Sequence, residues 1–167
     1  MSKKLWISAV LIITVLISGC IFDKEKVNQN STLNSGPIPQ TGLPAGFTFM
    51  AIHETTQDIG GTSINSTEGV YRYNNVEDVY IQVIKNDNPE TLIAQYKSSY
   101  KDAKYDPFTE ISLNGHKATQ VADYTTKNGQ NTQSYSIIWA TDKAMILVSS
   151  PTSDAKTLIA LATATGY

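Results

Sequence analysis

The chain contains two histidines, His53 and His116, and these are the side chains best suited to acid–base chemistry near neutral pH. His53 begins "HETTQ", which lacks the second histidine of the zinc-protease helix motif, and a zinc site normally requires three or four ligands. His116 follows an Asn-Gly pair, so we expect it to face water at a turn. We therefore expect structural or solvated roles for both, with a histidine beside a carboxylate kept as the catalytic alternative.

Other residue patterns point to no catalytic, metal or cofactor site. The sequence has no Gly-x-Ser-x-Gly nucleophile elbow. Glu77 and Asp78 are adjacent carboxylates, and adjacent residues of a strand point to opposite faces of the sheet. The stretch 58–61, "DIGG", is not followed by the lysine and helix of a phosphate loop. We assign no catalytic residue, no metal ligand and no cofactor.

Cys20 is the only cysteine, and its surroundings suggest attachment rather than catalysis. Lys3 and Lys4 precede an uncharged run, Leu5 to Gly19, which is the pattern of a secretory signal. The ending "ISGC" resembles the bacterial lipobox, which implies cleavage before Cys20 and a diacylglyceryl thioether on its sulfur. An uncleaved membrane-spanning helix, or a signal cut elsewhere, is the alternative. Each interpretation places the rest of the chain outside the cytoplasm.

Residues 21–44, "IFDKEKVNQNSTLNSGPIPQTGLP", are polar, rich in Asn, Ser, Gly and Pro, and lack helix or strand periodicity. We interpret them as a flexible tether that would span about 25–30 Å as a loose coil. The predicted organisation is a signal peptide at 1–19, a lipidated cysteine with its tether at 20–44, and one domain at 45–167. Two acyl chains would make the anchor stable.

The charge of the exported part argues against nucleic acid as a partner. Removing Lys3 and Lys4 from the 13 basic residues leaves 11 against 15 acidic residues, a net charge of −4. Nucleic-acid binding requires a dense basic patch. Without cysteine the domain must be held by its core alone, which its length permits. Asn30 and Asn65 fit the glycosylation triplet, a pattern common by chance in an Asn- and Thr-rich chain.

Alternating apolar residues and turn signals predict seven strands and two helices in the order β-β-β-α-β-β-β-β-α. Asn-Gly pairs at 114–115 and 128–129 mark hairpins. The polar stretch 55–68 is a loop or a short edge hairpin turning at Gly60-Gly61. The predicted strands cover 46–54, 69–75, 78–86, 108–113, 116–125, 132–140 and 144–150.

The first helix is predicted after Asn88, which can act as its cap, with Pro89 at the first helical position. The second is predicted after Ser153, with an apolar stripe around Leu158 and Leu161. Short hairpins make the sheet mainly antiparallel, and both helices must bury their stripes on it. The expected fold is α+β, with about six to seven strands and two helices.

The last part of the chain resembles the PsbP/DcrB-like family of small secreted or lipid-anchored α/β proteins. The resemblance lies in "LNGHKATQVADYTTKNGQNTQSYSIIWATDKAMILVSSPTSDAKTLIALAT", in which an Asn-Gly turn leads into long strands, a short turn and a closing helix. It extends from Gly46 to the end of the chain. It implies a PsbP-like sandwich and a protein that is not an enzyme, and it transfers no functional residue.

Together these observations predict a lipid-anchored binding or accessory protein at the cell membrane, facing outside the cytoplasm. Its partners would be the membrane, through the lipid on Cys20, and a protein or small ligand at the envelope. A cell-envelope hydrolase using His53 or His116, or a structural surface protein, is the alternative. Aromatic residues on the predicted strands and the first helix either pack the sheet and helices or line a groove between them; they are Tyr71, Tyr73, Tyr80, Tyr96, Tyr100, Tyr105, Tyr124, Tyr135 and Trp139.

Overall fold

The computed structural model describes residues 36–127 and 129–167. This part of the chain forms seven strands and two helices in the predicted order. In chain order they are β1 Phe47–Ile59, β2 Thr62–Tyr73, β3 Glu77–Lys85, α1 Pro89–Ser98, β4 Phe108–Leu113, β5 His116–Lys127, β6 Gln130–Ala140, β7 Ala144–Ser150 and α2 Ala155–Thr163.

The strands form one antiparallel sheet in the spatial order β1-β2-β3-β7-β6-β5-β4. Hairpins connect β1 to β2 to β3, and a second hairpin series connects β4 to β7. Helix α1 carries the chain from β3, near the middle of the sheet, to β4 at its edge. The predicted α+β class, with six to seven strands and two helices, is confirmed.

The two helices cover opposite faces of the sheet. Side chains alternate along β7: Ile146 and Val148 join the apolar cluster of α2, whereas Met145 and Leu147 join that of α1. We call these faces the α2 face and the α1 face. Because β7 is buried on both sides, it has a continuous apolar sequence instead of the alternating pattern of a half-exposed strand.

Of the two predicted helix caps, one is confirmed and the other is wrong. Asn88 Oδ1 accepts a hydrogen bond from the Thr91 N–H at 3.4 Å, as predicted. The predicted cap Ser153 is wrong, because Asp154 Oδ1 accepts from the Thr157 N–H at 2.7 Å. A carboxylate both accepts that hydrogen bond and complements the positive helix start.

The polar stretch between the first two strand signals is part of a long hairpin, which was one of the two expected alternatives. Strand β1 continues to Ile59 and pairs with Thr62 onwards. Gly60 and Gly61 both have positive φ, and Asp58 Oδ1 accepts from the Gly61 N–H at 2.9 Å. The backbone hydrogen bonds between paired strands do not require apolar side chains. The two strands therefore extend through a segment whose hydrophobic pattern is weak.

Residues 36–44, which the sequence placed in the tether, contact the sheet. Ile38 is buried in the α2-face cluster, and Leu43 packs against the same cluster. The Tyr71 hydroxyl donates to the Pro39 carbonyl oxygen at 2.8 Å. The packed part of the chain therefore begins before residue 45, because the Ile38 side chain and the Pro39 carbonyl contact residues that are distant in sequence.

The predictions for residues 1–35, including the signal, Cys20 and Asn30, lie outside the described residues. Within 36–127 and 129–167, no helix is both long and apolar enough to cross a membrane.

Candidate functional site

The two histidines lie on opposite faces of the sheet. His53 pairs with Glu68, and Glu68 pairs with Gln82, in a row across β1, β2 and β3 on the α1 face. His116 is two residues before Ala118, which packs in the α2-face cluster, so strand alternation puts both on that face. The two histidines therefore do not form a common metal or catalytic site.

His53 lies beside a carboxylate, as the catalytic alternative requires. Its Nε2 is 3.0 Å from Glu68 Oε1, and the two side chains are 50% and 13% exposed. Gln82 Nε2 donates to Glu68 Oε2 at 2.7 Å, so both carboxylate oxygens have a partner. Within the described residues His53 makes no other hydrogen bond, so no serine or threonine hydroxyl is positioned as its nucleophile. The pair orients an imidazole but does not complete a catalytic group.

A groove of about 1020 Å³ lies on the α2 face, at the end of the sheet where β3 and β6 finish and β5 and β7 begin. Its apolar floor is formed by Val83, Trp139 and Ala144. Its walls are formed by connecting loops, the first turn of α1, the ends of neighbouring strands and the two ends of the described chain, and no residue of α2 takes part. The remaining lining residues are Pro37, Lys85, Asn86, Asp87, Pro89, Glu90, His116, Ala140, Thr141, Asp142, Lys143 and Tyr167.

Hydrogen bonds hold the walls of this groove in place. The Thr141 N–H donates to the Ala144 carbonyl at 2.8 Å, and the Ala144 N–H donates to Thr141 Oγ1 at 3.1 Å, which closes the turn between β6 and β7. Asn114 Nδ2 donates to the carbonyl oxygens of Thr163 and Tyr167 at 3.0 and 2.9 Å. The Asn-Gly turn that was predicted only as a hairpin thus also fixes the C-terminal residue at the groove.

The floor of the groove contains a buried donor without an acceptor. Trp139 is 1% exposed, and its indole Nε1 has no hydrogen-bond partner among the described residues. Buried tryptophan N–H groups usually have a partner, because an unsatisfied one costs about 1–3 kcal/mol. The indole nitrogen itself is covered by its neighbours, so this donor is not open to the groove.

The charged groups around the groove nearly balance. Lys143 Nζ is 3.2 Å from Asp87 Oδ1. Lys85 has no ion-pair or hydrogen-bond partner within the described ranges, and the carboxylates of Glu90 and Asp142 are exposed at the same rim. Two lysines and three carboxylates therefore line the groove, and they produce no strong field of either sign.

The tyrosines that contact the core and the sheet mainly support the fold. Tyr71 is buried in the α2-face cluster. Tyr96 of α1 and Tyr100 in the turn after it contact the sheet: their hydroxyls lie 3.3 Å from Ser136 Oγ and from Asp123 Oδ2 respectively. Burial raises the pKa of the Tyr71 and Tyr100 hydroxyls above the ordinary tyrosine value. These tyrosines therefore pack the sheet and its helix and do not line the groove. Among the described residues that line the groove, Tyr167 is the one tyrosine.

The other predicted positions, Asn65, Glu77 and Asp78, do not line the groove. Asn65 is exposed on β2, opposite Thr56 of β1, and its glycosylation stays a prediction. Glu77 and Asp78 have separate partners: Thr152 Oγ1 donates to Glu77 Oε2 at 2.6 Å, and Asp78 pairs with Arg72. They do not form a joint carboxylate site.

Sequence reasoning did not identify Trp139 as a site residue. "SIIWA" is an apolar strand, and its pattern is the same whether the indole nitrogen has an acceptor in the core or not. The only available signal was the tryptophan itself, which carries a donor that requires a partner when buried.

No family model matches the chain, and neither the curated proteins nor the solved structures contain a match. The resemblance to the PsbP/DcrB-like family stays a prediction.

Proposed function

We propose that this protein is a lipid-anchored binding protein that faces outside the cytoplasm, and that the groove at Trp139 is its binding site. The observation that carries this proposal is the groove of about 1020 Å³ itself, whose buried apolar floor is formed by Val83, Trp139 and Ala144. The anchor is inferred from the lipobox-like ending at Cys20 and the uncharged run before it.

The shape and lining of the groove support binding of a ligand. Small-molecule sites commonly have volumes of about 300–1,000 Å³, with apolar walls and a few polar groups that orient the ligand. The groove is at the upper end of that range and has an apolar floor below a rim of polar and charged side chains. Its rim is held by turn and terminal hydrogen bonds, so the site is formed before a ligand arrives.

A groove-filling variant tests the proposal. The full chain is purified from native membranes, and the small molecules that copurify are identified by mass spectrometry. Ala144→Leu adds a larger side chain to the groove floor, whereas Ala94→Leu makes the same change at an exposed position of α1. We expect a compound to accompany the parent chain and the Ala94 variant, and to be lost from the Ala144 variant.

Circular dichroism establishes that the Ala144 variant is folded before the comparison is made. Equal retention of the compound by both leucine variants would contradict binding in the groove. The absence of any copurifying compound from the parent chain would count against a stably bound ligand. Mass spectrometry of the mature N-terminus tests the anchor separately, because an unmodified Met1 contradicts the lipoprotein assignment.

A cell-envelope hydrolase is the second candidate, and the His53–Glu68 contact is the observation that favours it. This candidate predicts hydrolysis of activated esters by the full chain, with the rate lost in His53→Gln and kept in His116→Gln. Equal rates in the two variants would eliminate His53 as the active residue.

A further inference from the structure

We infer that the ligand of the groove is an uncharged saccharide chain that lies across the α2 face of the sheet, from β6 to β1. This inference rests on the proposed function, and it adds the chemical class of the ligand. Three observations support it: an exposed aromatic ring in the groove lining, a second cavity that adjoins the groove, and a rim that mixes hydrogen-bond donors with hydrogen-bond acceptors.

The groove lining includes an aromatic side chain that a ligand can reach. Tyr167 is 43% exposed and lines the groove. Its carbonyl oxygen accepts from Asn114 Nδ2 at 2.9 Å, and its N–H donates to Thr165 Oγ1 at 3.3 Å, so the backbone that carries the ring is held in place. One face of a sugar ring consists mainly of C–H groups. Such a face can cover an aromatic ring and remove its apolar surface from water.

A second cavity adjoins the groove on the same face of the sheet. Its volume is about 450 Å³, and Val83 and Lys85 of β3 line both cavities. Glu54 lies opposite Thr67, and Thr67 lies opposite Val83, so the lining of the second cavity continues from β3 across β2 to β1. The combined surface crosses five neighbouring strands, β6-β7-β3-β2-β1. At about 4.8 Å per strand spacing its width is roughly 19 Å, which accommodates several linked sugar rings.

The polar groups along this combined surface differ in the hydrogen bonds that they can form. The carboxylates of Glu54, Glu90 and Asp142 only accept hydrogen bonds, whereas the Lys85 ammonium only donates them. An anion would meet the carboxylates and a cation would meet the lysine, so either would lose hydration beside a like charge. A hydroxyl group both donates and accepts, and an uncharged ligand with many hydroxyls can therefore pair with both kinds of side chain.

A saccharide chain meets the three requirements of this surface together. Its ring faces can cover Tyr167, its length can follow the lining from β6 to β1, and its hydroxyls can pair with carboxylates and ammonium groups alike. A purely apolar ligand would leave the rim groups without partners, and a ligand of one ring would not reach the second cavity.

Soluble saccharides that differ in charge and length test the inference. Cellotetraose, maltotetraose and tetra-N-acetylchitotetraose are uncharged, tetragalacturonate is an anion, kanamycin carries ammonium groups, and methyl β-glucoside is a single ring. Their affinities for the full chain in lipid nanodiscs are measured by ligand-observed nuclear magnetic resonance, with empty nanodiscs as the blank. We expect at least one uncharged tetrasaccharide to bind more tightly than tetragalacturonate, kanamycin and methyl β-glucoside.

Matched tyrosine variants locate the binding in the groove. Tyr167→Ala should weaken the tetrasaccharide roughly two- to tenfold, since that is the size of an aromatic contact. Tyr167→Phe keeps the ring and should bind as the parent does. Tyr124 is also exposed but does not line the groove, so Tyr124→Ala should leave the affinity unchanged. Glu54→Gln should weaken the tetrasaccharide more than methyl β-glucoside, since only the longer chain reaches β1. Circular dichroism should show that all four variants are folded.

Each contrary outcome overturns a defined part of the inference. If no uncharged tetrasaccharide binds, the saccharide class is wrong, and tightest binding of tetragalacturonate or kanamycin would overturn the uncharged class. An affinity that Tyr167→Ala does not change would overturn stacking in the groove, and equal affinities for the tetrasaccharides and methyl β-glucoside would overturn the extension to β1. A compound other than a saccharide that copurifies with the parent chain and is lost from Ala144→Leu would overturn this inference but support the proposed function. Failure of both experiments would count against both.

Discussion

The contact between the N-terminal segment and β2 provides a sharp test of the packing. A Cβ atom added at Gly69 would lie 2.5 Å from Ile38 Cγ2, and 3.2 Å from the nearest atoms of the Tyr71 ring and hydroxyl. Gly69 has no positive φ, so alanine is excluded by the neighbour and not by the backbone. Ile38 makes the closest of these contacts, so Gly69→Ala should be most costly while Ile38 occupies its site.

The expected free energies of unfolding follow from two opposing effects. Overpacking costs about 1–3 kcal/mol, and alanine in a strand interior is about 0.5–1 kcal/mol better than glycine. Gly69→Ala should thus destabilise the protein by roughly 0.5–2 kcal/mol. In an Ile38→Ala background the clash with Ile38 is absent but the 3.2 Å contacts with Tyr71 remain, so the same change should range from neutral to stabilising by about 0.5 kcal/mol. The coupling energy between the two sites is then about 0.5–2.5 kcal/mol.

The assay is urea unfolding of the full chain in a mild detergent, followed by circular dichroism, for the parent, both single variants and the double variant. Ile38→Ala alone should cost about 2 kcal/mol, at the low end for a buried isoleucine, because the segment can adjust. Gly69→Ala combined with Ile111→Ala on β4 is the control, and these two distant changes should be additive.

Two results would refute the reasoning. One is a coupling energy between Gly69 and Ile38 below about 0.5 kcal/mol, which is the level expected of independent sites. The other is a stabilising Gly69→Ala in the parent background together with a neutral Ile38→Ala. That combination would return residues 36–44 to the role of a tether without contacts to the sheet.

Three further predictions concern single residues. Tyr71→Phe should lower stability by about 1 kcal/mol in urea unfolding, because the Pro39 carbonyl loses its hydroxyl donor; an unchanged midpoint would contradict that bond. Hydrogen bonds from Thr157 lower the pKa of Asp154, so its contribution is complete above the ordinary aspartate pKa and decreases as pH falls. Asp154→Ala should cost about 1 kcal/mol at neutral pH, whereas Asp154→Asn should be nearly neutral and lack this acid dependence; equal losses would argue against capping. Cys20→Ser should remove the mass of the lipid from the N-terminus in mass spectrometry, and a mass that changes only by the substitution would favour an uncleaved helix.

Local signals predicted most of the fold. Asn114-Gly115 marks a turn through residues that tolerate positive φ, and both adopt it. Asn88 ahead of Pro89 marks the start of α1. Such signals depend on neighbours in sequence, which is why element order and sheet class were predictable. The cap of α2 was misplaced by one residue, because Ser153 and Asp154 are both good caps and only the chain path selects between them.

The candidate site was not predictable in the same way. His53 and His116 were the residues chosen from chemistry, but strand register places them on opposite faces of the sheet. Trp139 was recognised only as one aromatic residue of a strand. Whether its N–H has an acceptor depends on which residues surround the indole in space, and the sequence does not give that information.

The order of elements, the antiparallel sheet with two helices, the weak negative charge and the prediction of an anchor at Cys20 all followed from the amino-acid sequence. Those properties arise from periodicity, turn residues and composition, all of which are local or additive. The groove lined by Pro37, Trp139 and Tyr167 became apparent only from the packing of the chain. These residues are distant in sequence, and the pairing of distant strands and the hydrogen bonds of Asn114 to Thr163 and Tyr167 bring this end of the molecule together.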